Sequence, residues 1–244
     1  MATINKTTAL RLAKDVRTIM KNPLHDHGIY YQHDESNMLN GYAMIVGPAD
    51  TPYQHGFYLF KIEFTENYPH EPPKVTYFTQ GDQVRFHPNL YRSGKVCISI
   101  LNTWRGEQWS SCQTISSILL TLITLFHSKP LLNEPGIAES HYDFQKYNDI
   151  ISYKTMEHAC LRMADVDYFN EHYNVFGGFY DIITSYLKEN IIKIVDYTNI
   201  LYQNNINNDN RVVATAIYSM KMRLNYKNLL EMATHVKNQL QDKN

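Results

Sequence analysis

The tripeptide His87-Pro88-Asn89, followed eight positions after Asn89 by Cys97, is the stretch of this chain best equipped for chemistry. A deprotonated thiol is a nucleophile, and a side-chain amide offers both a hydrogen-bond donor and an acceptor. A thiol held opposite an amide N–H is what acyl transfer needs: an attacking sulfur and a donor for the oxygen that becomes negative. Pro88 fixes its own φ and biases His87 away from helix, so the turn is rigid. Gly94 permits the reversal into Lys95-Val96-Cys97, an apolar stretch that reads as a short strand. The same residues also describe a turn beside a buried cysteine, the usual place for a free thiol. Residue types alone leave both readings open.

Other groups have the same ambiguity. Glu134 sits in the turn Asn133-Glu134-Pro135-Gly136, where an acid is ordinarily solvated. Arg11, Lys14, Arg17 and Lys21 form a basic stripe at spacings of 3, 3 and 4, which by itself describes a solvated helix face. Trp104 and Trp109 are close enough to make a binding platform, but two large amphipathic rings also serve as anchors under a loop.

The elements that must position these groups are readable from period and punctuation. Residues 7–21 read as a helix with Leu12, Val16 and Ile19 on its apolar stripe, Thr7 or Thr8 at its start and Asn22-Pro23 at its end. Residues 28–33, 39–46, 56–64 and 74–78 read as four strands joined by short turns, hence an antiparallel meander. In the third, Phe60, Ile62 and Phe64 share a face, and Lys61 and Glu63 share the other. Residues 114–127 read as a helix capped by Thr114, burying Ile115, Ile118, Leu119, Leu122 and Leu125. Helices are expected over 142–153 and 155–164, and Gly177-Gly178 reads as a break. Ile183, Leu187, Ile191, Ile194, Thr198 and Leu201 then recur at helical spacing, a polar loop covers 204–210, and a last helix or pair is expected over 212–237. The fold class is α+β.

Composition narrows the function classes. The formal charge is −1, which argues against nucleic acid as the main ligand. Three cysteines, odd in number and irregularly spaced, argue against a disulfide framework or a zinc site and fit a reducing compartment. No apolar run approaches the about 20 residues that span a bilayer, and residues 1–6 carry no signal-peptide apolar region. The cytoplasm is the expected location, with the nucleus also open. No metal and no organic cofactor is implied.

Several landmarks recur together: Gly47-Pro48, Pro52-Tyr53-Gln54-His55-Gly56, Asn67-Tyr68-Pro69-His70-Glu71-Pro72-Pro73, His87-Pro88-Asn89 with Cys97, Trp104, Trp109-Ser110, and Asn133-Glu134-Pro135-Gly136. In this order and at about these spacings they resemble ubiquitin-conjugating enzymes across residues 7–160. The run Tyr91-Arg92, Gly94-Lys95-Val96-Cys97, Ser99-Ile100-Leu101 is most similar to large conjugating enzymes of the Z type, which also carry an extension. The resemblance implies the UBC fold over residues 1–165, with a helical extension over 166–244 packed on it, and Cys97 accepting the carboxyl terminus of ubiquitin as a thioester. It implies that Asn89 braces the loop or stabilises the oxyanion, that His87 and Pro88 support the site, and that Glu134 orients an incoming lysine. Arg11, Lys14 and Arg17 would dock the activating enzyme. Pro69, His70, Ser110 and Ser111 would meet a ligase. His70 stands where many members have phenylalanine, and Ser111-Cys112 where many have Pro-Ala, so the type of ligase does not carry over. The expected partners are ubiquitin, an activating enzyme, a ligase and substrate lysines, with neither nucleic acid nor membrane. Three rivals are a carrier of another ubiquitin-like modifier, a non-catalytic ubiquitin-binding variant, which would lack Cys97, and a papain-like protease, which would need a helix starting at its cysteine.

Overall fold

The structure, a computed structural model, describes residues 5–81 and 83–241. Residues 1–4, on which the reading of the first six positions mostly rests, lie outside the described residues, as do 242–244 of the extension. Helix α1 spans Lys6–Lys21, and its cap is Asn5, whose side chain accepts from the Thr7 N–H at 3.0 Å. The expected caps Thr7 and Thr8 lie inside the helix. Thr8 is buried, and its hydroxyl donates to the Glu66 carbonyl at 2.8 Å, so it serves a tertiary contact. Leu12 and Ile19 are buried, and Val16 is half-buried.

Four strands follow: β1 Ile29–His33, β2 Asn40–Val46, β3 Phe57–Glu63 and β4 Lys74–Tyr77. They pair antiparallel in the order β1-β2-β3-β4, with Tyr42 opposite Lys61 and Phe60 opposite Tyr77. On the inner face Tyr58 stacks on Phe126 with ring centroids 4.4 Å apart. Helix α2, Ile115–Ile123, lies behind that face and starts with a reciprocal capping box between Thr114 and Ser117. It ends at Ile123 rather than at 127, yet Leu125 and Phe126 remain buried. The expected helices over 142–153 and 155–164 form one run, in which α3, Phe144–Lys154, widens into a π-helical stretch, Thr155–Cys160, and then tightens over Leu161–Ala164.

The outer face of the sheet explains where the extension goes. Phe57 and Leu59 point away from Tyr58 and Phe60 by strand alternation, yet both are fully buried. Tyr186 meets Phe57 edge-on at 5.4 Å, and Phe176 meets Tyr42 and Phe78 edge-on at 5.5 and 5.1 Å. Those covering rings belong to the helical turn Asn174–Phe179 and to α5, Tyr180–Asn204, which follow α4, Val166–Tyr173. Helix α5 buries Ile183, Leu187, Ile191, Ile194 and Thr198. Gly177-Gly178 stands in the tighter turn that separates α4 from α5, the expected break, and it is also a docking point. The Gly178 carbonyl accepts from Gln32 Nε2 at 2.7 Å, and a Cβ on Gly178 would stand 2.0 Å from Gln32 Oε1. One connected apolar cluster runs from Leu12 through the sheet to Leu240.

The extension is not wholly helical, which corrects the expectation for 212–237. Arg211–Thr215 is strand β5 and Met220–Leu224 is strand β6, paired antiparallel with Val213 opposite Met222. Val213, Thr215, Met220 and Leu224 are buried, while Val212, Ala214, Lys221 and Arg223 are exposed. That period of two, carried by β-branched residues and by Met220-Lys221-Met222-Arg223-Leu224, is strand chemistry. Helix α6, Tyr226–Gln241, then packs along α5.

Candidate active site

The segment after β4 places the candidate nucleophile. Gly94 takes φ 85, and a Cβ there would stand 2.9 Å from Thr76 and 3.0 Å from the Tyr77 carbonyl, so the reversal requires glycine. The stretch around Cys97 is extended but is not a strand, contrary to its apolar appearance. Its hydrogen bonds go to a turn and a side chain instead of a ladder. Cys97 N–H donates to the Asn89 carbonyl at 2.9 Å, and Ile98 N–H donates to Thr103 Oγ1 at 3.0 Å. The Thr103 hydroxyl stands 3.0 Å from the Val96 carbonyl, so one side chain ties both neighbours of Cys97. Ser99–Leu101 turns the chain away immediately after.

Asn89 is buried, and its Nδ2 donates to the Cys97 carbonyl at 2.6 Å. Its Oδ1 accepts from Asn133 Nδ2 at 3.4 Å, and His127 Nε2 lies 3.0 Å from Asn133 Oδ1. One amide hydrogen of Asn89 is therefore committed to the backbone of Cys97, and a second remains. His87 is fully buried, and its Nδ1 accepts from Asn89 N–H at 3.0 Å. Burial, then His127 and Arg85, push the His87 pKa well below the ordinary imidazole range, so it is a neutral brace. Cys97 itself is 2 % exposed and sits at the floor of the segment. Thr103 also lines a surface cleft, together with Asn102, Trp104, Arg105, Gln108 and Pro135.

Glu134 is half-buried rather than solvated, and its Oε2 accepts from the hydroxyl of Tyr218. Tyr218 lies in the turn between β5 and β6, and the core grips this turn through several groups. Asp143 Oδ2 accepts from the N–H groups of Ala216 and Ile217 at 2.8 and 3.0 Å. Arg92 donates to the Tyr218 carbonyl at 2.6 Å. The Arg85 guanidinium lies over Tyr91 at 3.8 Å and over Tyr218 at 4.2 Å, and also donates to the Pro88 carbonyl. Sequence reasoning missed Tyr218, Arg85, Asp143 and the bridging role of Thr103. No turn signal marks Ala216-Ile217-Tyr218-Ser219, which has neither glycine nor proline.

The second group of expected residues gathers at the far end of α1. Trp109 Nε1 donates to the Pro69 carbonyl at 2.7 Å, and Ser111 Oγ lies 3.4 Å from His70 Nδ1. His70, Ser110 and Ser111 are exposed, and Pro69 is buried. Arg11 does not stand with Lys14 and Arg17, which are exposed. It donates to Asp15 at 2.8 Å and to the carbonyls of Ser111 and Gln113 at 2.6 and 2.7 Å, fastening α1 to that loop. Among the described residues no cluster suited to a metal ion occurs, and no helix is long and apolar enough to cross a membrane.

The family model for ubiquitin-conjugating enzymes matches residues 11–158. The chain belongs to that family. It is 42 % identical over 159 residues to ubiquitin-conjugating enzyme E2 Z of Danio rerio, covering 64 % of this chain and 48 % of that protein. The Homo sapiens protein of the same name is 41 % identical over 159 residues, covering 64 % and 44 %. The ubiquitin-conjugating enzyme E2 of African swine fever virus is 33 % identical over 179 residues, covering 67 % and 79 %. The chain thus spans about half the length of the Z relatives that it matches. The chain holds its three cysteines in different settings. Cys160 is buried, and burial pushes its thiol up, which makes it inert. Cys112 is exposed on the loop after Trp109, and Cys97 alone stands against Asn89.

Proposed function

We propose that the chain carries ubiquitin as a thioester on Cys97 and passes it to a substrate lysine or to a ligase. The observation that carries this reading is the pair of hydrogen bonds between Cys97 and Asn89, Cys97 N–H to the Asn89 carbonyl and Asn89 Nδ2 to the Cys97 carbonyl, which fixes the backbone of Cys97 inside the family's active-site segment. In loading, the Cys97 thiolate attacks the thioester that the activating enzyme presents. A new C–S bond forms, the old one breaks, and the activating enzyme's sulfur leaves as thiolate. In discharge, an amine attacks the carbonyl, a C–N bond forms, the C–S bond breaks, and the proton released by nitrogen goes to the Cys97 thiolate or to solvent. A thioester is already activated, so the site must position its reactants more than it must supply a base. His87 cannot supply one, because its Nδ1 is occupied and its ring stays neutral.

The remaining roles follow from placement. Asn89 holds the Cys97 peptide and keeps one amide hydrogen for the developing oxyanion, and Glu134 attracts the amine. Lys14 and Arg17 meet the activating enzyme, with Arg11 holding their helix in place. His70, Ser110 and Ser111, set over Pro69, form the exposed surface offered to a ligase. Incubation with activating enzyme, ATP and ubiquitin should give an adduct that thiols remove, and Cys97→Ala should abolish it. An adduct that survives in Cys97→Ala and is lost in Cys112→Ala would overturn the assignment.

A further inference from the structure

We propose that the hydroxyl of Tyr218, presented by the hairpin turn of the extension, positions the Glu134 carboxylate for the amine that discharges the thioester. This rests on Cys97 being the loaded residue. Glu134 stands in a turn before Pro135, where an acid without a partner samples many rotamers and its charge is spread over them. Here the Tyr218 hydroxyl donates to Oε2 and holds one orientation. Burial and the neighbouring carboxylate both raise the Tyr218 phenol above its ordinary range, so the donor keeps its proton.

The turn is built for this placement and not for its own comfort. Tyr218 and Ser219 take φ 60 and 47, left-handed values at two successive residues without glycine. Such a conformation persists where surroundings over-determine it, and Asp143, Arg92 and Arg85 do so from the core side. The contact also reaches the nucleophile. Arg85 joins Tyr218 to the Pro88 carbonyl, and Asn133, the neighbour of Glu134, bonds to the Asn89 that holds the Cys97 carbonyl. Tyr218 is thus a positioning residue: it touches the carboxylate, not the reacting atoms.

The test is a single-turnover chase of the full chain, started from preformed ubiquitin thioester so that loading drops out. Two nucleophiles are compared, lysine, whose amines are charged near neutral pH, and hydroxylamine, which is uncharged there. Each forms a C–N bond to the carbonyl and releases Cys97 thiolate. Tyr218→Phe keeps the ring over Arg85 and removes only the hydroxyl. Losing one hydrogen bond to a charged group should slow discharge to lysine by about tenfold. Glu134→Gln should slow it comparably, and the double variant should be no slower than the slower single one. Discharge to hydroxylamine should stay close to the parent rate, because the carboxylate acts through charge. Parent-like discharge to lysine in Tyr218→Phe would overturn the proposal. So would equal slowing with both nucleophiles, the mark of a loosened structure, or losses that multiply in the double variant. A parent chain that never loads would instead overturn the carrier reading itself.

Discussion

The extension meets the core at two seams of opposite chemistry. At the outer face of the sheet the contact is made mostly by rings, Tyr186 on Phe57 and Phe176 between Tyr42 and Phe78, with hydrogen bonds at Gln32–Gly178 and His55–Tyr186 beside them. At the active-site end it is made by charges and donors, with Asp143 on two backbone N–H groups, Arg92 on a carbonyl, and Tyr218 on Glu134. Apolar burial is non-directional and scales with area, so the first seam stabilises without dictating any one angle. Hydrogen bonds are directional, so the second seam specifies geometry. The difference teaches that one extension does two jobs, holding on through the sheet and shaping the site through the hairpin turn.

Three substitutions can break or sharpen that contrast. The largest effect is expected from Phe176→Ala, which removes a ring that is 1 % exposed. Large-to-small changes of this kind cost about 3–5 kcal/mol, which for a chain of this length is a fall of roughly 10 °C in melting temperature. Discharge to lysine, measured well below that temperature, should stay within twofold of the parent, about 0.4 kcal/mol of barrier. A slower chase would mean that the aromatic seam also shapes the site. Asp143→Ala should cost about 2 kcal/mol by leaving the Ala216 and Ile217 N–H groups without their acceptor. Unlike the first variant, it should slow the chase, because the turn that carries Tyr218 is released.

The smallest effect is a pH dependence at the apolar seam. His55 lies against α5, with Nδ1 2.8 Å from the Tyr186 hydroxyl. Burial, with Lys193 adding to it, pushes its pKa down to about 4. The unfolded chain, with His55 near its ordinary value of about 6.5, then binds more protons than the folded one between these two values. Stability therefore falls as pH drops from about 6.5 toward about 4. His33 and His87, also shifted down, add to the same slope. His55→Asn suits the left-handed φ of 65 at this position and should flatten part of the slope in a melting series across that window. An unchanged slope would exclude His55 as a contributor.

The core was legible in the sequence because its signals are local. The alternation in β3, the Thr114 cap and the heptad-like stripe of α5 each depend on residues within a few positions of one another. Of the Cys97 segment only the turns at Pro88 and Gly94 were legible in the residues; the strand reading failed because the Cys97 and Ile98 N–H groups bond to Asn89 and Thr103, and the chemistry was legible only through the resemblance. What stayed hidden is long-range. Met220-Lys221-Met222-Arg223-Leu224 alternates plainly, but its turn lacks glycine, since the core and not the turn's own residues enforces Tyr218 and Ser219. Arg11 read as one of a basic stripe, and only the fold brings it to Ser111 and Gln113, about a hundred positions on. Glu134 read as a solvated turn acid because its partner lies 84 residues downstream.

That separation sets an order in time. A chain emerging from the ribosome contains the whole active-site segment, Cys97, Asn89 and Glu134, before Tyr218 has been made. At about 5–20 residues per second, translating the intervening stretch takes roughly 4–17 s. During that interval the proposed nucleophile exists but Glu134 lacks its Tyr218 partner. The hairpin turn is therefore a late closure, and a product ending between Ala164 and that turn would carry every motif by which the family is recognised while lacking the contact that orients its acid.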